Sequence, residues 1–222
     1  MARSVTMFAW ALLWTFATAA PARADGPGSY RPPTPPSSSK PALSEVQAIE
    51  AYNLGYAAIQ RADHATALAE ATSDANEKRQ SQRTAQDEYE QARRHFEEAV
   101  RLDAYLHEGF TYLGYANRKL GRHSQALEAY GHALKLNPDY SYAIEYQGQA
   151  YLGLNRIDEA RFNYLRLYAL NKGQAKKLLQ AMQSWLDAHK DAPPAGVDMQ
   201  SFGAWVKQRS DVTRNDPPAA PW

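Results

Sequence analysis

Between residues 107 and 172, large and small apolar positions recur with a period of 34. The first cycle runs Phe110, Leu113, Gly114, then Ala126, Tyr130, Ala133 and Leu134, and ends in Asn137-Pro138. The second runs Ile144, Gly148 and Tyr151, then Ala160, Tyr164 and Leu167. Apolar positions three and four residues apart put one face of a helix inward, so each cycle predicts two amphipathic helices joined by a tight turn. Gly114 precedes Ala126 by 12 residues, and Gly148 precedes Ala160 by the same 12. Small residues paired in this way predict a close helix crossing, where bulk would force the helices apart. Gly121, after Leu120, is the expected C-cap of the first helix, and Pro138 stops the second.

The same pattern extends to both sides. Tyr52-Asn53-Leu54-Gly55 begins an earlier cycle near Ala48, and Ala92, Phe96, Ala99 and Leu102 complete it. Gly55 and Ala92 are 37 residues apart, an excess of 25 over the other cycles that we assign to residues 62–86. No Pro or Gly interrupts 56–108, and Ser73-Asp74-Ala75-Asn76 carries the best turn signal. Two arrangements fit. Both helices lengthen into a projecting hairpin in which Ile59, Ala62 and Leu68 meet Ala85, Tyr89 and Ala92, or an extra, degenerate pair forms with Ala67 as its small residue. Residues 173–188 place Leu178, Met182, Trp185 and Leu186 on one face, which predicts a capping helix over the last apolar surface. Pro193-Pro194 breaks the chain, and an amphipathic segment at 198–208 follows with Met199, Phe202 and Trp205. It either packs back on the stack or is offered to a partner; residues 211–222 are expected to be disordered.

The 34-residue period and this order of large and small residues resemble the tetratricopeptide repeat, more closely at 107–140 than at 141–172. The resemblance implies an all-α fold: a short right-handed superhelical stack of about three helix pairs at 48–106, 107–140 and 141–172, within a domain spanning 44–188. The third unit departs from the family, with Gln147 in place of Leu, Leu167 in place of Ala and Lys172 in place of Pro.

Composition changes the picture mainly at the ends. Twelve of the 13 prolines lie at or before residue 41 or at or after 193. Residues 7–20 are apolar and uncharged, Arg3 precedes them, and Ala22-Arg23-Ala24 is a small-x-small cleavage pattern. Residues 1–24 therefore read as a signal peptide cut after Ala24. The 14-residue run spans about 21 Å as a helix against a hydrocarbon core of about 30 Å, which disfavours a permanent membrane anchor. Residues 25–43 form a Pro/Ser-rich linker, and 189–222 a Pro-rich tail. Loss of Arg3 and Arg23 takes the net charge from +1 to −1, so neither form holds nucleic acid by bulk charge. Without Cys, the chain makes no disulfide, thiolate–metal site or thiol nucleophile.

Candidate chemistry is sparse. Nucleophile-elbow, phosphate-loop, dinucleotide-binding and His-Glu-x-x-His motifs are all absent. His107, His123 and His132 fall at positions that the repeat leaves to solvent or turns, so no metal and no cofactor is expected. Tyrosine is the conspicuous residue, with 13 of 14 between 52 and 168. Tyr130, Tyr151 and Tyr164 hold the large core positions of the repeat. The resemblance puts Tyr52, Tyr56, Tyr112, Tyr115, Tyr142 and Tyr146 on the concave surface, shared with Glu108, Arg118, Glu145 and Gln149. The alternative is that several of these rings pack between helices. In the family, a peptide's terminal carboxylate is clamped by Lys and Asn on the first helices. Here those positions hold Tyr52 and Tyr56, Thr111 and Tyr115, Glu145 and Gln149, so that mode is not expected.

The expectation is a non-enzymatic scaffold, periplasmic or secreted, that binds a protein or peptide in a Tyr-lined groove. Two alternatives stand beside it: a membrane-tethered scaffold with an uncleaved N-terminus, and a glycan-binding or cofactor-free enzymatic accessory. Mass spectrometry of the isolated protein should find an N-terminus at Asp25. A chain beginning at Met1 would establish the tethered form.

Overall fold

The computed structural model describes residues 43–215, and the proposed signal peptide and nearly all of the linker lie outside them. Among the described residues there are eight helices and no strand. They are α1 (Leu43–Ala71), α2 (Ala75–Leu102), α3 (His107–Lys119), α4 (His123–Leu136), α5 (Ser141–Gly153), α6 (Ile157–Leu170), α7 (Lys172–His189) and α8 (Met199–Asn215). Each packs on its neighbours in sequence, and α1 also touches α3, α3 touches α5 and α5 touches α7. The odd-numbered helices thus line up along one side of a helical stack.

The 34-residue period is written into the backbone. Asp103, Asn137 and Asn171 each leave their helix in an extended conformation, with N–H bonds back to Ala99, Ala133 and Leu167. Gly121 adopts φ +77°, and the N–H of Arg122 closes on the Asn117 carbonyl at 2.8 Å. Thirty-four residues later Asn155 takes the same left-handed conformation, φ 57°, and Arg156 closes on Tyr151 at 2.9 Å. Asn is among the few side chains that accept this region at small cost. At Asn171 the period meets Lys172 where a proline stood at 138. The Asn171 side chain accepts from the Gln174 N–H, and α7 starts at once.

The core repeats in the same register. Phe96, Tyr130 and Tyr164 occupy equivalent positions and are all buried, as are Ala92, Ala126 and Ala160. A Cβ added at Gly55 would lie 2.9 Å from Phe96 Cζ, and one at Gly114 would lie 2.5 Å from Tyr130 Cε1. The glycines therefore admit an aromatic ring from the second helix of their own unit. Gly148 differs from expectation. Its nearest neighbour is Leu178 of α7, 2.5 Å from an added Cβ, and not Ala160. The third crossing is completed by the capping helix, on which Leu178, Leu179, Met182 and Trp185 are buried.

The additional residues lengthen both helices of the first pair, so α1 and α2 are uninterrupted. Ala58, Ile59, Ala62 and Ala65 on α1 share a buried cluster with Ala85, Tyr89 and Ala92 on α2. Leu68, expected in that seam, is 49% exposed; Ala65 and Ala69 fill the facing positions, because small side chains let the arms approach closely. The turn is Thr72–Asp74, one residue earlier than the sequence signal, and Asp74 caps α2 by accepting from the Asn76 and Glu77 N–H groups.

The tail also differs. Helix α8 runs to Asn215, past the expected amphipathic segment and into residues read as disordered, and no proline precedes Pro217 to stop it. It folds back onto the stack. Phe202 and Val206 are buried, Phe202 packs on Trp185, and Trp205 meets Tyr164 edge-on at 5.3 Å.

Two substitutions separate packing from propensity. Gly114→Ala should destabilise by about 1–3 kcal/mol, because Tyr130 is fully buried and cannot yield. Gly131→Ala, mid-helix with nothing within 4 Å of an added Cβ, should gain about 0.5–1 kcal/mol. Urea denaturation of both variants checks the pair, and equal effects would contradict the crossing.

Candidate functional site

The side on which α1, α3 and α5 line up carries a continuous run of aromatic rings. Tyr52 stacks on Tyr56 at 6.4 Å, and both meet Tyr112 edge-on at 5.9 and 5.3 Å. Tyr112 leads to Tyr115 at 6.3 Å, Tyr115 to Tyr146 at 5.1 Å, and Tyr146 to Tyr142 at 6.4 Å. All six tyrosines named from the sequence are thus brought together. Tyr140 and His107 extend the run beyond Tyr142. The alternatives of groove and packing merge here. Tyr52, Tyr112, Tyr115 and Tyr146 are partly buried between helices, whereas Tyr56 and Tyr142 are 39% and 43% exposed.

Charges are set among these rings. Arg118 lies over Tyr115 and Tyr146, its guanidinium carbon 5.1 and 5.6 Å from the two ring centres. Asp63 of α1 accepts from the Tyr115 hydroxyl at 2.9 Å and from the Tyr89 hydroxyl at 2.5 Å, and Lys119 stands 3.7 Å away. This carboxylate ties the elongated first pair to α3. Asp63, Tyr89 and Lys119 were not singled out in the sequence as site residues. The available signal was spacing, since Tyr52, Tyr56 and Asp63 are four and seven residues apart and share a helix face. Burial pushes Tyr52 up to about 12 and raises Tyr112, Tyr115 and Tyr146 as well, so these hydroxyls stay protonated donors at neutral pH.

Several sequence expectations need correction. Glu145 does not line an open surface: it is 1% exposed and accepts a hydrogen bond from the half-buried Gln149. Thr111 is also buried, donating to the His107 carbonyl. Of the three histidines assigned to solvent or turns, two are engaged. His107 pairs with Glu108 and Asn137, and the His123 ring packs against Gly153, where burial lowers its pKa. His132 is exposed and stacks on Phe110.

Glu145 supplies a pH prediction. Burial raises its pKa, and the Gln149 hydrogen bond and the charges of Arg118 and Lys177 offset this only in part. A carboxyl raised on folding adds stability while it is protonated and loses that contribution as pH climbs from its unfolded value of about 4.3 through its folded one. Glu145→Gln keeps the acceptor without the charge. Its melting temperature relative to the parent should therefore be higher at pH 7 than at pH 4. A difference that does not change with pH would contradict the buried, raised carboxyl.

The tetratricopeptide repeat family matches residues 107–140, which span α3, α4 and the turn after them. No curated protein matches the chain. Among solved structures, the first TPR of Spaghetti (RPAP3) bound to the HSP90 peptide SRMEEVD is similar at 19% identity, over 63% of this chain and 94% of that one, with a TM-score of 0.48.

Proposed function

We propose that the chain is a non-enzymatic scaffold of the cell envelope, exported by residues 1–24, that holds a protein or peptide partner on the tyrosine face. The observation that carries this is the aromatic run across three parallel helices, half-buried at its centre and open at Tyr56 and Tyr142. Such rings are held in place before a partner arrives, so little side-chain entropy is lost on contact. Their hydroxyls keep donor capacity beside apolar surface, the combination that recurs in protein recognition. The flanking arginine adds a stacked cation suited to an aromatic or carbonyl-rich segment.

Export is supported by the charged start, the apolar run and the Ala22-Arg23-Ala24 pattern. The partner's chemistry follows from the face: an extended or helical segment with apolar and aromatic side chains.

A photo-crosslinking amino acid at Tyr56 or Tyr142 should trap a discrete protein adduct in cells, and one at Phe162, 66% exposed on α6, should not. Replacing Tyr56 and Tyr142 together by Ala should lower partner capture by about 30-fold, equivalent to about 2 kcal/mol, with little change in melting temperature. Unchanged capture by a folded double variant would move the site away from this face.

A further inference from the structure

One side of α1 carries apolar residues that face solvent. Leu43, Leu54 and Leu68 are all exposed. They share that side with Glu50, Ala57 and Arg61, because steps of three, four and seven residues return to one face of a helix. The repeat register says what this side does elsewhere. With Gly55 matched to Gly114, Glu50, Leu54 and Ala57 stand where α3 has Gly109, Leu113 and Ala116. A Cβ added at Gly109 would lie 3.0 Å from Val100 of α2, and Leu113 and Ala116 join the buried cluster of the first pair. These are the positions by which a unit sits on the one before it. No described helix precedes α1 to take them. The outer face of a terminal repeat is ordinarily polar, and three exposed leucines depart from that.

The stripe complements itself when it is reversed. Turned end for end about a point between Gly55 and Tyr56, Leu43 meets Leu68, Glu50 meets Arg61 and Leu54 meets Ala57. The same operation sets Gln47 opposite His64, and both are exposed. Alternating steps of three and four residues are the spacing of a coiled-coil seam. A parallel pairing would instead put Glu50 on Glu50 and Arg61 on Arg61, so the charges select the reversed one. Arg61 reaches Glu88 of α2 at 2.8 Å with its side chain 54% exposed, and a guanidinium has donors left for a second carboxylate.

We propose that two copies of this chain pair along α1, antiparallel and related by a two-fold axis beside Gly55 and Tyr56. A two-fold interface needs one patch in which residue i meets j and j meets i, and the reversed stripe has that property. The contact from Leu43 to Leu68 is about 38 Å long at the rise of a helix. Apolar pairs close its centre and both ends, and the ion pairs between them fix the register. Tyr52 lies nine residues from Leu43, about 180° around the helix, so the pairing leaves both tyrosine faces uncovered. The inference is independent of what those faces bind.

Sedimentation of the protein between about 1 and about 100 μM should show a monomer passing into a dimer. The chain has no Cys, so introduced thiols report without background. In the Leu43→Cys/Leu68→Cys double variant the two thiols of one chain are about 38 Å apart along α1, so a disulfide forms only between copies. Mild oxidation should give a covalent dimer of the double variant and of neither single variant. Glu50→Arg should raise the dimer Kd by about tenfold, because like charges then face each other at two places, and adding Arg61→Glu should restore it. Glu50 is exposed, so circular dichroism should find the helical content of Glu50→Arg unchanged. A chain that stays monomeric, a dimer indifferent to Glu50→Arg, or a double Cys variant that does not cross-link would overturn the proposal. Single variants that cross-link as well as the double one would overturn the antiparallel register. A photo-crosslinker at Leu54 that traps a foreign protein instead of a second copy would overturn the choice of partner.

Discussion

Everything in the stack depends on a backbone that can be approached by an aromatic ring. At Gly55 and Gly114 the ring of Phe96 or Tyr130 lies where a side chain would otherwise stand. The crossing distance, and with it the tilt of every following pair, is fixed by the absence of a Cβ. Alanines at 92, 126 and 160 keep the second helix slim one turn before that ring. At these two crossings the helix pair is held by one large ring against one missing side chain. The third crossing uses Leu178 from α7 instead, which makes the capping helix part of the repeat register and not an addition to it.

The tyrosine face inherits its geometry from these crossings. Because α1, α3 and α5 are held close, side chains on their shared side cannot avoid one another, and the six tyrosines form a chain of ring contacts. In the function proposed above, packing and recognition are carried by the same residues. The inner edges hold the helices in register, and Tyr56 and Tyr142 are the most exposed of the six. Asp63 extends this logic across 52 residues of sequence by binding a tyrosine from α3 to the elongated first pair.

The repeat was legible because its signals are local: a 34-residue spacing, glycines opposite alanines, and turn residues at 121 and 138. The tyrosines were read as a face because the resemblance to the repeat puts those first-helix positions on one surface. What could not be read was depth. Glu145 sits one position from Tyr146 and was assigned to the same surface, yet its side chain is buried. A one-residue step turns a side chain by about 100° around the helix, and only the neighbouring helix decides which side of that boundary is covered. Leu68 failed in the opposite sense, as an apolar residue left outside because alanines make the closer seam. The Asp63 cluster was illegible for a related reason: it joins residues from α1, α2 and α3 that no spacing rule connects.

The return of α8 onto α7 and α6 has a consequence for how the molecule comes apart. In a linear stack each element is held by its neighbours alone, so opening begins at an end and travels inward. Trp205, set edge-on to Tyr164 and flanked by Arg161 and Arg209, links the last helix to the core ring of the third unit, two helices back. That contact staples the far end across its final layer. Fraying from the C-terminal side must therefore free α8 from both α7 and α6, so this end opens as one cooperative block of the last three helices rather than helix by helix.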